Sequence, residues 1–338
     1  MEQNNEKYSK YALVEEMLET AGVIKNFDPS VAGRFISTIR EKGRLFLTGE
    51  GSSRLFPAKR AIYEALKKGN LLPILTEGAT QALEYDLSNY AVFGASNSGK
   101  TKEIVRLFEK LKNSGHNALF GLTANSDTPL ESMARDTHVL NCGTEKAVAA
   151  TKSVVEQALF YDSLIHFLAD EKMEGLNELS EQVDKAMRQN IESGMIEQLK
   201  NADIIYFAGR NTGAIEELTL KTNEITRKKS DFLEGTYVLH GIEEIMNKNE
   251  VVILVEPFES EEEKIKECLV KGVGMKVISI SSRETSFPTI KIPDGGKYHN
   301  YVELAAGWNV LVEIGIALGI DLDKPVRARK VGNEYIVK

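Results

Sequence analysis

Residues 94–101 read GASNSGKT, placing three hydroxyl side chains, Ser96, Ser98 and Thr101, between an apolar run and a helix-like segment. From Gly94 the spelling is G-x-x-x-x-G-K-T, that of a nucleotide-binding P-loop. Two chemistries compete for it. A triphosphate loop also needs Mg²⁺ ligands, ordinarily an aspartate closing an apolar strand. The apolar runs ALFGLTA and DIIYFAG close on threonine, alanine and glycine instead. A single phosphate monoester asks less: backbone N–H groups at a helix start, the helix dipole, and a few hydroxyl donors. Ser96, Asn97, Ser98 and Thr101 are expected to supply these, with the loop's N–H groups pointing outward. A second hydroxyl loop, TGEGSSR (48–54), carries Ser52 and Ser53 behind the first apolar strand. Two such loops at adjacent strand ends would converge on one phosphate. The plainer reading of either is an ordinary loop with a capping serine.

The elements that must hold these loops fall into two similar halves. In the first, GRLFLTG (43–49), LLPIL, YAVFGA, ALFGLTA and DTHVLNC read as buried strands. Between them, SRLFPAKRAIYEALKKGN and TKEIVRLFEKLKNSG read as amphipathic helices, and AVAATKSVVEQALFYDSLIHFLA (147–169) as one long helix. A charged, helical stretch at 170–200 connects to the second half. There DIIYFAGRNTGAIEELTLK (203–221) repeats the strand, glycine turn and helix of 44–60. EVVILVEP, MKVISISSRE and TIKIP follow as strands, and YVELAAGWNVLVEIGIALGI as the last helix. Such a repeat predicts an α/β protein with two parallel sheets, helices on both faces, and ligands bound beyond the carboxyl ends of the strands.

Composition narrows the function. The chain has 338 residues, 42% hydrophobic and 27% charged, enough for two domains. A formal net charge of −8 argues against nucleic acid or an anionic membrane as partner. Cys142 and Cys268 form neither a disulfide framework nor a metal-spaced cluster, and five scattered histidines call for no metal or organic cofactor. The polar start MEQNNEKYSKYALVEEMLET and the lack of an 18-residue apolar run lead to the expectation of a cytoplasmic protein.

GEGSS, SNSGKT and GTEKAVAATKSV (143–154), in that order, resemble the sugar isomerase (SIS) domain. From about residue 30 onward the chain resembles the tandem-SIS isomerase half of the glutamine:fructose-6-phosphate aminotransferase family. The resemblance implies two tandem SIS domains of flavodoxin-like, three-layer α/β/α build. The bounds are an N-terminal helical segment at 1–30, SIS domains at 31–170 and 201–320 around a 171–200 connector, and a tail at 321–338 over the active site. The family's phosphate residues fall on Ser53, with Ser52 beside it, and on Ser96, Asn97, Ser98 and Thr101; its substrate-wall residues fall on Val148 and Ala150. Ala150 replaces a serine of the family pattern. The E-x-x-x-K-x-x-E helix falls on Glu217, Lys221 and Glu224, the H-G element on His240 and Gly241, and the reactive tail lysine on Lys330. Leu239 and Ile242 depart from the lysine and proline that flank H-G in the family. A chain that begins Met1-Glu2 without the family's glutaminase is expected to have no ammonia source of its own.

Moving a carbonyl between C1 and C2 of a sugar needs ring opening, a base for the C1/C2 proton, and a stabilised enediol. On the resemblance, Glu224 is the base, His240 opens the ring, Lys330 forms an imine, and Lys221 orients Glu224 or neutralises an oxyanion. It further implies a homodimer in which the histidine enters from the other subunit. Taken singly, each has an ordinary reading: Glu217 and Lys221 as an exposed i, i+4 pair, His240 as a structural histidine, Lys330 as a solvated tail. The expected activity is that of a 6-phosphosugar aldose–ketose isomerase or amino-sugar-phosphate deaminase. A fructosamine-6-phosphate deglycase and a non-catalytic phosphosugar sensor are the alternatives.

Overall fold

The computed structural model describes residues 1–2, 4–69, 71–329 and 333–335. The chain divides into two compact units. One holds Val23–Glu145, Ala150–Leu176 and the segment from Ala328; the other holds Met1–Gly22, Lys146–Ala149 and Asn177–Arg327.

The first-sheet unit contains β1 (Leu45–Gly49), β2 (Ile74–Glu77), β3 (Ala91–Ala95), β4 (Leu119–Thr123) and β5 (Asp136–Val139). They pair in parallel in the order β2-β1-β3-β4-β5. β1, β3 and β4 are buried at every position, as parallel strands covered on both faces must be. Alternate residues feed two apolar clusters. Leu45, Leu47, Phe93 and Phe120 join Phe35 and Phe160 in one; Phe46, Val92 and Leu119 join Ile104, Leu107 and Phe108 in the other. The chain opens with α1 (Ala12–Asn26), and the helices of this unit are α2 (Ile36–Lys42), α3 (Leu55–Lys68), α4 (Ala79–Ala82), α5 (Lys102–Asn113), α6 (Pro129–Met133) and α7 (Lys152–Leu168).

The second-sheet unit contains α8 (Leu176–Arg188), α9 (Ser193–Asn201), β6 (Ile204–Gly209), α10 (Ala214–Thr226), β7 (Lys229–Glu234), β8 (Val251–Val255), α11 (Glu262–Ile265), β9 (Lys276–Ser281), β10 (Thr289–Lys291) and α12 (His299–Ala317). Its strands are again parallel, in the order β7-β6-β8-β9-β10. The repeat read in the sequence is therefore one topology used twice, two five-stranded parallel sheets flanked by helices.

Besides short helices that the sequence reading did not include, α4, α6 and α11 among them, a strand and a helix start differ from expectation. β7 was not foreseen; it is an edge strand, KSDFLE, mostly exposed, so it lacks the apolar run that marks an interior strand. The long helix starts at Lys152 rather than at 147. At Thr151 a buried carboxylate takes the backbone donor that a helix begun at 147 would give to the Ala147 carbonyl. Glu145 accepts the Thr151 N–H at 2.7 Å, and Glu16 accepts those of Lys146 and Ala147. No described helix is long and apolar enough to cross a membrane.

Candidate functional site

β1 and β3 are neighbours, with Gly49 opposite Ala95, so the loops that follow them leave the same edge of the sheet. The chain passes from β1 to β2 on one side and returns to β3 on the other, which puts both loops at the reversal of strand order, the ligand crevice of parallel α/β sheets. Ser52 and Ser53 sit half-buried on the tight turn Gly51–Ser53. That turn is tight enough that a Cβ at Gly49 would lie 2.7 Å from the Ser53 carbonyl oxygen. Ser96 is 1% exposed, and its hydroxyl pairs with that of Thr101 at 2.7 Å across the loop.

The loop's donors are arranged differently from the sequence expectation. Gly99 N–H donates to the Ser96 carbonyl (3.0 Å), Lys100 N–H to Ser98 Oγ (3.1 Å) and Thr101 N–H to Ser96 Oγ (3.4 Å). Lys102 N–H, the first of α5, donates to the carbonyl of Asn333, and Tyr335 N–H donates back to Lys100 O at 2.8 Å. Four loop N–H groups are thus bonded within the protein rather than directed outward, two of them to a serine hydroxyl. Gly94, the first glycine of the P-loop spelling, lies inside β3, where a Cβ would come 2.5 Å from the Phe108 ring. It is a packing glycine for α5, and the loop proper begins only at Ser96.

Asn97 is fixed by a residue inside the GTEKAVAATKSV run to which the sequence reading gave no role. Its Nδ2 donates to Glu145 Oε2 at 3.0 Å. Glu145 is 7% exposed and also receives the Ser153 hydroxyl at 2.6 Å. Ala150 is half-buried on the same run, whereas Val148 lies in the Lys146–Ala149 segment that clusters with the second-sheet unit. Glu50, beside Ser52, accepts the Ala79 N–H at 2.9 Å, and burial pushes its carboxyl above the usual range.

In the second-sheet unit α10 carries Glu217, Lys221 and Glu224. Gly213, at φ +85°, turns the chain into the helix, and Gly307 of α12 lets α10 approach so closely that a Cβ there would meet Leu218 at 2.3 Å. The surface reading of Glu217 and Lys221 fails: both side chains are 0% exposed. Lys221 Nζ lies 3.0 Å from Glu217 Oε1 and 2.8 Å from Glu224 Oε2. Burial alone would depress the Lys221 ammonium, but the two carboxylates outweigh it and hold its pKa above the ordinary lysine value. Lys221 is thus held in its charged form between the two carboxylates. Glu224 keeps 22% of its side chain exposed and is the one member of the trio open to a ligand. His240 is exposed, its Nε2 3.3 Å from Thr236 Oγ1, and no described contact joins it to the trio. Lys330 lies outside the described residues.

The repeat also exposes a second position that the sequence did not mark. Gly209 pairs with Val255 as Gly49 pairs with Ala95, so Glu256 stands in the second sheet where Ser96 stands in the first. Both N–H groups donate to the neighbouring strand at 2.9 Å. Glu256 accepts from His299 Nε2 (2.7 Å), Ser281 Oγ (3.0 Å) and the Ser282 N–H. Burial would raise its pKa, but these donors hold it at about 2. The position of the second sheet that matches Ser96 thus holds a carboxylate engaged by the protein's own donors.

Residues 38–167 match the family model described as SIS domain. No curated protein sequence matches the chain. Among solved structures, it is similar to the C-terminal domain of glucosamine-fructose-6-phosphate aminotransferase from Francisella tularensis, at 19% identity and TM-score 0.78, covering 95% of this chain and 100% of that one. It is also similar to glucosamine-6-phosphate deaminase from Thermotoga maritima, at 20% identity and TM-score 0.73, covering 96% and 99%. Tagatose-6-phosphate ketose/aldose isomerase from Escherichia coli gives 17% identity and TM-score 0.73, covering 93% and 96%. At these identities the likeness is one of fold.

Proposed function

For a chain that carries a SIS domain over residues 38–167, we propose an enzyme acting on a 6-phosphosugar, as an aldose–ketose isomerase or an amino-sugar-6-phosphate deaminase. The observation that carries this reading is the trio on α10: a buried lysine between two carboxylates, of which only Glu224 is open. Glu224 is the base. It takes the C2 proton of an open-chain aldose and returns it to C1, while the O2 hydroxyl proton passes to O1, giving the ketose through an enediol. On a 2-amino aldose the same transfer gives the C2 imine of the ketose, to which water adds as ammonia leaves, yielding the ketose. A positioned base of this kind contributes roughly 10²–10⁴-fold. Lys221, having no exposed surface, acts through Glu224 by fixing its orientation, and Glu217 holds Lys221 in turn.

Ser52, Ser53, Ser96, Ser98 and Thr101 are assigned to the phosphate, with Asn97 beside them. Their support is the crevice position of both loops and the dipole of α5, whose first N–H is itself bonded to the Asn333 carbonyl. Two other features weigh against a triphosphate: the P-loop glycine is spent inside β3, and the loop between Ser96 and α5 is short. His240, exposed and able to donate or accept, is assigned to ring opening.

The test is turnover by purified protein on glucosamine-6-phosphate, galactosamine-6-phosphate, fructose-6-phosphate, tagatose-6-phosphate and a fructosamine-6-phosphate. Ammonia or sugar-isomer formation that disappears in Glu224→Gln supports the reading. Free amine from the fructosamine alone would replace it with a deglycase. Thermal stabilisation by these sugars with no turnover of any would replace it with a sensor.

A further inference from the structure

We propose that Glu145 is a positioning residue that sets the geometry of the phosphate cradle through Asn97; this rests on the reading of Ser96–Thr101 as that cradle. Glu145 lies 48 residues from Asn97 in the chain, on the run that leads into α7. Its two oxygens have separate tasks. Oε1 serves the start of α7, accepting the N–H groups of Thr151 (2.7 Å) and Ser153 (3.4 Å) and the Thr151 hydroxyl (3.4 Å). Oε2 accepts from the Ser153 hydroxyl at 2.6 Å and from Asn97 Nδ2 at 3.0 Å.

A helix cap alone would need only the first set. The second ties the cradle loop to the run bearing Ala150. It also fixes the sense of the Asn97 amide, since a carboxylate can only accept and must face Nδ2. The Asn97 backbone is held as firmly. Its carbonyl accepts from Ala124 N–H (3.0 Å), Asn125 Nδ2 (2.9 Å) and Thr123 Oγ1 (3.2 Å), so the amide plane is the remaining freedom that Glu145 removes. With Nδ2 committed, Oδ1 and the second amide hydrogen are what Asn97 presents. Glu145 thereby decides which atoms of Asn97 face a ligand without facing it itself.

Glu145→Gln separates the two tasks. The glutamine oxygen must take the Oε1 position, where three donors converge, which leaves its NH₂ at Oε2. There the Ser153 hydroxyl can turn to accept, but Asn97 Nδ2 cannot, so the amide is forced to flip. The cap survives while the cradle changes. Inorganic phosphate is the probe, its affinity read by calorimetry on the full chain in wild type, Glu145→Gln, Asn97→Ala and the double variant. The expected result is about a tenfold loss in Glu145→Gln, the scale of one hydrogen bond of a charged group, and no further loss on adding it to Asn97→Ala. In turnover the same variant raises KM with kcat little changed.

Ser153→Ala is the control for plain structural support. It removes a Glu145 partner at the helix, and it should lower the melting temperature while leaving phosphate affinity within about twofold. Additive losses in the double variant would overturn the proposal. So would wild-type affinity in Glu145→Gln, or a Ser153→Ala effect on phosphate as large as that of Glu145→Gln. Failure of the wild type to bind phosphate at all would instead sink the cradle reading, and this proposal with it.

Discussion

Replacing Lys221 by methionine removes the cation of the buried trio and little volume. Its worth follows from where the three groups lie. An exposed i, i+4 pair contributes only about 0.2–0.5 kcal/mol. Here Lys221 and Glu217 are both fully buried, 3.0 Å apart, so the substitution leaves Glu217 as a carboxylate without its cation in a site closed to water. Breaking such a pair from one side costs about 3–5 kcal/mol, because the stranded charge keeps its desolvation penalty. With a urea slope of about 3 kcal/mol per molar, the midpoint should fall by about 1–2 M at unchanged slope. Urea unfolding followed by circular dichroism reads this directly. Adding Glu217→Leu removes the stranded charge, and exchanging a buried ion pair for apolar groups is often neutral, so the double variant should regain most of the loss. A loss below about 1 kcal/mol for Lys221→Met would refute the reasoning, since it would place the pair in water. A double variant no more stable than the single one would refute it equally.

Three further outcomes follow from the same geometry. Gly94→Ala drives a methyl to 2.5 Å from Phe108 and 2.9 Å from Ile104, and thermal unfolding should reveal an overpacking loss of about 1–3 kcal/mol. Ser96→Ala removes the hydroxyl that pairs with Thr101 and accepts its N–H; KM for a phosphosugar should rise about tenfold while kcat is largely kept. Glu256 sits at about 2 against an ordinary 4.5, so its contribution is complete above pH 4.5 and is lost as pH falls towards 2. That shift corresponds to about 3 kcal/mol, so wild type and Glu256→Gln should differ by that order at pH 7 and converge in acid, as urea midpoints across pH would record.

Much of the fold was legible because interior parallel strands write themselves as apolar runs. LFLTG, AVFGA, LFGLT and VVILV are each buried along their whole length. The hydroxyl loops were legible for the same reason, as breaks in those runs at strand ends. What escaped was decided by partners remote in sequence. β7 is polar at four of its six residues, as an edge strand bordering only β6 can be, so no periodicity announced it. Glu256, and Glu145 although it lies in the GTEKAVAATKSV run, carry no sign in the sequence of what they bind; Asn97 lies 48 residues from Glu145, and His299 lies 43 from Glu256. Glu217 and Lys221 carried a surface signature, a charged i, i+4 pair, and their complete burial follows from tertiary packing that the sequence does not announce. The start of α7 was misjudged because a propensity reading cannot foresee Glu145 taking the Thr151 backbone donor ahead of Lys152.

The most direct test of the central claim, that Glu224 moves a proton between C1 and C2 of a phosphosugar, is solvent exchange. Wild type and Glu224→Gln are each incubated in D₂O with fructose-6-phosphate and with tagatose-6-phosphate, and loss of the C1 proton signal is followed by NMR. Exchange by the wild type that falls at least about a hundredfold in the variant, with phosphate affinity unchanged, is the predicted result. Equal exchange in both proteins would remove Glu224 from the role of base. No exchange by the wild type with either sugar, although both bind, would contradict proton-transfer chemistry on them.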